Sequence, residues 1–253
     1  MTPADTLRQS ENLYGFWSAT GHPSVLDAAA AVGPDFICID TQHGTPLVSL
    51  DISPFTVLAS YGVPSLVRVE ALDEARIGRA LDLGADGVII PLVASTEDAK
   101  RAVAACRYAP EGTRSFGVQT RRAHATGDSE PVCWIQVETA GAMGQLDEIA
   151  SVDGVDALYV GPADLGLALV GEPARDVTSV YDGTHPHAEE MRTAFDRIVA
   201  ACRDAGIAAG LHCGSGEAAD IAGQHGFTVA AVAADTSLIA TGLTRELGIA
   251  RSD

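Results

Sequence analysis

Lysine is nearly absent from this chain. Of 16 basic residues among 253, one is a lysine, Lys100. It follows Ser95-Thr96-Glu97-Asp98-Ala99, which reads as the capped first turn of a surface helix. Chemistry through a Schiff base needs a desolvated lysine, and a lone lysine on a solvated helix face is a poor one. Positive charge is scarce overall. Against 34 acidic residues the formal net charge is -18, so the chain repels phosphate and nucleic acid is excluded as a partner. Cysteine pairing is missing too. Cys38, Cys106, Cys133, Cys202 and Cys213 are odd in number and contain no Cys-x-x-Cys spacing. They read as buried reduced thiols, not as disulfides or a zinc site. No apolar run approaches bilayer length, and Met1 to Ser10 is polar, without the apolar core of a signal peptide. The expected location is therefore the cytoplasm, with no membrane partner.

What the chain does have is a repeating alternation of short apolar runs and longer helical stretches. The runs are Leu13 to Ser18, Asp35 to Asp40, Ser65 to Val69, Gly87 to Ile90, Val132 to Val137, Ala157 to Val160, Ala208 to Leu211 and Val229 to Ala233. Helices are predicted over Pro23 to Val32, up to about Tyr61, and over Asp73 to Leu83, Thr96 to Cys106, Ala142 to Ala150, Ala188 to Ala205, Glu217 to Gln224 and Ser237 to Leu247. A long loop is read between Val160 and Ala188. Gly33, Gly62, Gly84, Gly154, Gly206 and Gly226 each stand between a helix and the next strand, where a helix end needs a left-handed residue. Eight strand–helix units with continuously apolar strands predict a buried parallel sheet closed as a single (β/α)8 TIM barrel, an α/β fold spanning residues 1–253. A doubly wound open sheet is the alternative. No composition shift marks a second domain.

Barrel sites lie at the C-terminal ends of strands, so the polar residues there are the candidates. The second strand ends in Asp40-Thr41-Gln42-His43-Gly44. The third contributes Arg68, the fifth Gln136 and Glu138, the sixth Gly161-Pro162-Ala163-Asp164-Leu165, and the seventh His212-Cys213-Gly214. Each has a plainer reading. Glu138 can cap the following helix, Asp164 can be a turn residue, Arg68 a structural ion-pair partner and His43 a satisfied core histidine. Their joint occurrence at successive strand ends favours one pocket. Glu138 and Asp164 come from adjacent strands. Two carboxylates suit a hard divalent cation, Mg2+ or Mn2+, with Co2+ and Zn2+ as further candidates, and leave coordination positions open for water and a chelating ligand.

These residues carry a resemblance. The segments Ile39-Asp40-Thr41-Gln42-His43-Gly44, Leu66-Val67-Arg68-Val69, Leu81-Asp82-Leu83-Gly84, Arg107-Tyr108-Ala109-Pro110-Glu111-Gly112-Thr113-Arg114, Ile135-Gln136-Val137-Glu138-Thr139 and Val160-Gly161-Pro162-Ala163-Asp164-Leu165 resemble the HpcH/HpaI aldolase family over nearly the whole chain. The resemblance implies a barrel of the phosphoenolpyruvate/pyruvate-domain type and a metal-dependent lyase that cleaves a 4-hydroxy-2-oxo acid reversibly to pyruvate and an aldehyde. It implies Glu138 and Asp164 as metal ligands, and Gln136 with the backbone at Ala163 and Asp164 as the pyruvate cradle. Arg68 would stabilise the enolate, and His43 would be the base, made more basic by the acid matching Asp82. Asp82 is expected at the bottom of a barrel helix. Either it reaches a neighbouring subunit's site or that helix ends earlier, and Asp40 is the nearer polariser by sequence. Trp17 and His212 would face the aldehyde, with packing of the strand ends as the plainer reading. The family also implies a homo-oligomer, a hexamer with the last helix exchanged between subunits, and the apolar stretch Leu238 to Leu247 is compatible with that.

The chain departs from the family in three places. Gln42 stands where the family often has glutamate. The loop from Ser115 to Pro131 is shorter, and the stretch from Gly166 to His187 is longer and carries Asp176, Tyr181, Asp182, His185 and His187. Other readings are a lyase or decarboxylase for another 2-oxo acid, or a lyase for a CoA ester. A CoA-ester lyase needs basic contacts for the nucleotide, and Arg121-Arg122 is the one adjacent arginine pair. A catalytically silent barrel serving binding or assembly is a reading from a different class.

Overall fold

The eight apolar runs form one closed parallel barrel in sequence order. The computed structural model describes residues 2–9, 12–45, 50–117 and 130–251. The strands are β1 (Leu13–Ser18), β2 (Phe36–Asp40), β3 (Ser65–Arg68), β4 (Gly87–Ile90), β5 (Val132–Val137), β6 (Ala157–Val160), β7 (Ala208–His212) and β8 (Val229–Ala234). The open-sheet alternative is overturned by the β1–β8 pairing, which runs from Leu13 opposite Val229 to Trp17 opposite Ala234.

Strand periodicity sorts the apolar residues into two cores. Phe36, Cys38, Leu66, Ile89, Trp134, Tyr159 and Ala231 fill the barrel interior. Ile37, Ile39, Val67, Val88, Ile90, Ile135, Leu158 and Val160 face outward into the layer covered by helices. Both faces are dry, which is why the strands read as continuous apolar runs rather than alternating ones. The rings of Phe36 and Trp134 meet edge to face at 5.5 Å inside the barrel. Burying each such ring contributes about 2–3 kcal/mol.

The surrounding helices are α1 (Pro3–Gln9), α2 (Pro23–Ala30), α3 (Ser53–Tyr61), α4 (Glu74–Asp82), α5 (Thr96–Cys106), α6 (Ala140–Gly144), α7 (Leu146–Ala150), α8 (Pro162–Val170), α9 (Val177–Asp182), α10 (Ala188–Ala205), α11 (Gly216–Gln224) and α12 (Asp235–Ala250). The six glycines read as helix terminators all have positive φ, from 70° at Gly62 to 110° at Gly84. One helix adds to the expected set and two readings are corrected. The polar N-terminus holds α1, whose Ala4 and Leu7 join the barrel interior while Arg8 pairs with Asp156 at 2.6 Å, closing the end of the barrel where strands begin. The helix expected over Ala142 to Ala150 is two short ones meeting at Gln145. The long loop after β6 contains α8 and α9.

Lys100 is exposed on α5, whose first turn is capped by the Ser95 side chain accepting from the Asp98 amide. All five cysteines are buried free thiols. No helix among the described residues is long and apolar enough to cross a membrane. On α12, Leu238, Ile239, Leu243, Leu247 and Ile249 are exposed, and Asp235 is the buried member.

Candidate active site

A cavity of about 720 Å³ opens where the strands end, lined by Trp17, Asp40, His43, Arg68, Gln136, Tyr159, Ala163, Asp164 and His212 among others. Residues from six strands or the turns following them therefore converge on it. Glu138 does not line the cavity directly. It is buried, 2% exposed, and hydrogen-bonded to the lining residue Gln136.

One side of the site is built by strand register. Asp40 and Arg68 are register partners across β2 and β3. Their side chains form a two-pronged ion pair, Nε to Oδ1 at 2.9 Å and Nη2 to Oδ2 at 2.6 Å. The Trp17 indole N–H donates to Asp40 Oδ2 at 3.2 Å, and the Arg68 guanidinium stands 5.0 Å from the Trp17 ring centroid. Burial alone would raise the Asp40 pKa. The Arg68 guanidinium, the His43 amide and the Trp17 indole outweigh burial and hold it below the ordinary value. The plain reading of Arg68 as an ion-pair partner is thus correct as geometry, and it places a fixed cation on the cavity wall.

Asp40 reaches His43 only through the backbone, accepting from its amide at 3.2 Å. No hydrogen bond joins the Asp40 carboxylate to the His43 ring among the described residues. His43 is exposed on the turn after β2, and its ring takes no hydrogen bond among the described residues. It is not a core histidine. Asp82 is the last residue of α4, so that helix does not end earlier. This end of the helix lies at the base of the barrel, where Arg114 holds Asp82 at 2.6 Å. Within one chain the structure does not bring Asp82 to the cavity.

The opposite side is an acidic cradle. Glu138 Oε2 accepts from Gln136 Nε2 at 2.7 Å, and Oε1 accepts from the Leu92 amide at 2.7 Å. Leu92 has φ 56°, the one non-glycine in the left-handed region among the described residues, and it is exposed. Such a backbone costs about 1–2 kcal/mol; here it aims an N–H at Glu138, the kind of strain that collects at functional sites. Gly161 completes the cradle. A Cβ there would stand 2.5 Å from both Gln136 Nε2 and Glu138 Oε2, so any larger residue would push these two side chains out of their present positions. Thr139, not Glu138, caps the following helix.

Burial raises the Glu138 pKa to about 7. Asp164 adds to the rise, while the Leu92 amide, Arg68 and Gln136 oppose it. Asp164 sits in the first turn of α8, where Pro162 supplies a pre-set φ and Gly161 offers no side-chain cap. Ala163 and Asp164 of that turn line the cavity, and a helix N-terminus favours an anion.

These residues fit a divalent cation. Asp164 lies close enough to Glu138 to disfavour the charge of the Glu138 carboxyl, and Gln136 Oε1 is a buried acceptor with no partner. No cluster of three or more His, Cys, Asp or Glu suited to a metal occurs among the described residues. An ion held here would therefore keep positions open, unlike one in a closed structural site.

The charge arrangement sets a pH dependence for the metal-free chain. The folded pKa of Glu138, about 7, lies above the ordinary 4.5. The folded state then holds the proton more tightly, so this stability is full below pH 4.5 and is lost as pH rises through 7. The expected loss is on the order of 3 kcal/mol. Thermal denaturation of chelator-treated protein should show it between pH 4.5 and 8, and Glu138→Gln should remove it. An identical pH profile for the variant would contradict the assignment.

Trp17 and His212 both line the cavity, with Trp17 edge-on to the His212 ring at 4.7 Å. His212 Nδ1 lies 3.3 Å from the Tyr159 hydroxyl. Burial, reinforced by Arg68, pushes the His212 pKa down to about 4, so the ring is neutral at neutral pH. Sequence reasoning missed Leu92, Tyr159 and Arg175. Tyr159 was within reach of strand phase, since it follows Trp134 and Gln136 on the inward face. Leu92 and Arg175 carry no sequence signal. Arg121 and Arg122 lie outside the described residues, as does most of the stretch from Ser115 to Pro131.

A model of the HpcH/HpaI aldolase/citrate lyase family matches residues 13–241. The chain is 33% identical to a 2-dehydro-3,6-dideoxy-6-sulfogluconate aldolase of Pseudomonas putida, over 92% of this chain and 89% of that one. It is 36% identical to a 4-hydroxy-2-oxovalerate aldolase of Novosphingobium aromaticivorans, over 79% and 77%. Its fold is similar to the crystal structure of an HpcH/HpaI aldolase/citrate lyase family protein from Burkholderia cenocepacia J2315, with a TM-score of 0.85, 31% identity and 98% of each chain covered. The chain belongs to the HpcH/HpaI aldolase/citrate lyase family.

Proposed function

We propose that this chain is a divalent-metal-dependent lyase that cleaves a 4-hydroxy-2-oxo acid reversibly into pyruvate and an aldehyde. The observation that carries the reading is that Asp164 and Arg68 line one cavity without a lysine and both act electrostatically on the buried carboxyl of Glu138. Glu138 and Asp164 would hold the cation, Mg2+ or Mn2+ by donor type. Bound there, it polarises the 2-oxo group and acidifies the adjacent C–H.

The chain's own residues complete the chemistry. The first-turn amides at Ala163 and Asp164, with Gln136, orient the pyruvate carboxylate and carbonyl. Arg68 places fixed positive charge where the enolate oxygen develops, and Asp40 keeps its fork in one orientation. His43 takes a methyl proton in the addition direction and returns it in cleavage. Its exposed position on the cavity and its uncommitted ring support that role. Trp17, Tyr159 and the neutral His212 form the wall on which the aldehyde rests. Asp82 has no part in this chain's own pocket.

We also infer that the working form is a homo-oligomer in the cytoplasm, a hexamer by family resemblance, built from the 253 residues as one unit. The exposed leucines and isoleucines of α12 are the surface a second copy would cover.

Lysine chemistry is the mechanistic rival, and it gives a direct test. Borohydride reduction with pyruvate should trap no covalent adduct, and Lys100→Ala should keep turnover within about twofold, as expected for a surface substitution. A mass increase matching reduced pyruvate on Lys100 would overturn the mechanism.

A further inference from the structure

The cavity has a second cation that the pyruvate chemistry does not use. Arg175 lines it, together with Leu167, Cys213, Thr236 and Ser237. Its guanidinium makes no hydrogen bond or ion pair among the described residues, although the chain carries 34 acidic residues against 16 basic ones. Arg68, by contrast, is already balanced by Asp40.

The backbone that presents Arg175 is held on both sides. Gly166 of α8 has no side chain, and a Cβ there would come within 2.4 Å of the Glu172 carbonyl and 2.8 Å of the Ala174 amide. The absent side chain lets residues 172–174 lie against the helix, and Ala174 is fully buried. On the other side Asp176 caps α9, accepting from the Thr178 amide at 3.0 Å and the Thr178 hydroxyl at 2.5 Å. The carboxylate nearest in sequence is thus committed elsewhere, and the arginine is left to the cavity.

We propose that Arg175 is a specificity residue that recognises an anionic group, a carboxylate or a sulfonate, on the far end of the aldehyde. The proposal rests on the reading of this cavity as a pyruvate–aldehyde site. Glu138 and Asp164 belong to the cation side, and Arg68 and the first-turn amides to the 2-oxo acid. Arg175 is exposed, and it is the one lining arginine that no carboxylate pairs among the described residues. A guanidinium offers a planar fork that matches a carboxylate or sulfonate with two hydrogen bonds. A neutral aldehyde leaves that fork unused.

The experiment compares pyruvate addition to succinic semialdehyde and to its methyl ester, for the wild type, Arg175→Ala and Arg175→Lys, alongside deuterium exchange into the pyruvate methyl group. Arg175→Ala should lower kcat/KM for the charged aldehyde roughly 10- to 100-fold, mostly through KM, as expected for loss of a charge-assisted pair. Addition to the ester and deuterium exchange should be unchanged, and Arg175→Lys should fall between. Equal losses on both aldehydes would make Arg175 merely structural and overturn the proposal, as would no loss on either. Wild-type protein that exchanges pyruvate protons but prefers the ester also overturns it, leaving the lyase reading intact. Wild type that neither exchanges protons nor adds an aldehyde would remove both.

Discussion

Replacing Glu138 by glutamine, or Asp164 by asparagine, is expected to lower aldol turnover by roughly 10³-fold or more while leaving the fold in place. Each substitution removes one anionic oxygen donor of the pair proposed to hold the divalent cation. The local structure tolerates the change at Glu138 because a glutamine carbonyl still accepts from the Leu92 amide, and its NH2 can donate to Gln136 Oε1, an acceptor now without a partner, once the Gln136 amide turns over. Burial already raises the Glu138 pKa to about 7, so a neutral side chain there resembles the protonated acid. Turnover and metal affinity should therefore fall together without a drop in metal-free melting temperature. A variant that keeps full turnover would exclude Glu138 as a ligand. One that loses turnover only by unfolding would leave it a structural residue.

The second large effect is expected at Arg68 and His43, read by exchange of pyruvate methyl protons with deuterated water in the absence of any aldehyde. Lysine is the informative replacement for Arg68. Alanine would strand the buried Asp40 charge, at a cost of about 3–5 kcal/mol. Lysine keeps that charge balanced yet lacks the fork. Arg68→Lys should slow exchange roughly 10²–10³-fold, the size of losing one preorganised donor. His43→Ala should slow it by about 10²–10⁴ with metal affinity unchanged. The His43 ring makes no hydrogen bond among the described residues, so its removal should cost no stability. Exchange at the wild-type rate combined with failed aldol cleavage would move His43 to the aldehyde-side hydroxyl. Normal rates in both reactions would remove it from the mechanism.

The fold was legible because both faces of the barrel are dry, so each strand stands out as an apolar run between glycine stops. Four strands, Leu13–Ser18, Gly87–Ile90, Val132–Val137 and Ala157–Val160, have the expected limits at both ends. Helix α8 was hidden because Leu165 to Val170 is apolar apart from Gly166 and shows no clear amphipathic stripe. Helix α1 was hidden by its polar composition; its two buried residues, Ala4 and Leu7, are too few to make a pattern. The cavity-lining residues at the strand ends were legible for a topological reason, since a barrel gathers whatever follows its strands. Their pairings were not. That Asp40 serves Arg68 rather than the His43 ring depends on the β2–β3 register, which spacing along one strand does not encode. Leu92 acts through its amide, and the side chain named in the sequence carries none of that information. Arg175 depends on how a loop folds back over Gly166, a contact between segments with no shared periodicity.

The central claim is that Glu138 and Asp164 would hold a divalent cation, and that this site, not a lysine, would supply the polarisation that makes the pyruvate methyl group acidic. Deuterium exchange into pyruvate, followed with Mn2+ supplied and then with chelator in excess, tests it most directly. The account predicts exchange with the metal, loss of exchange with chelator and recovery when Mn2+ or Mg2+ is returned. Exchange that continues at full rate in excess chelator would contradict it.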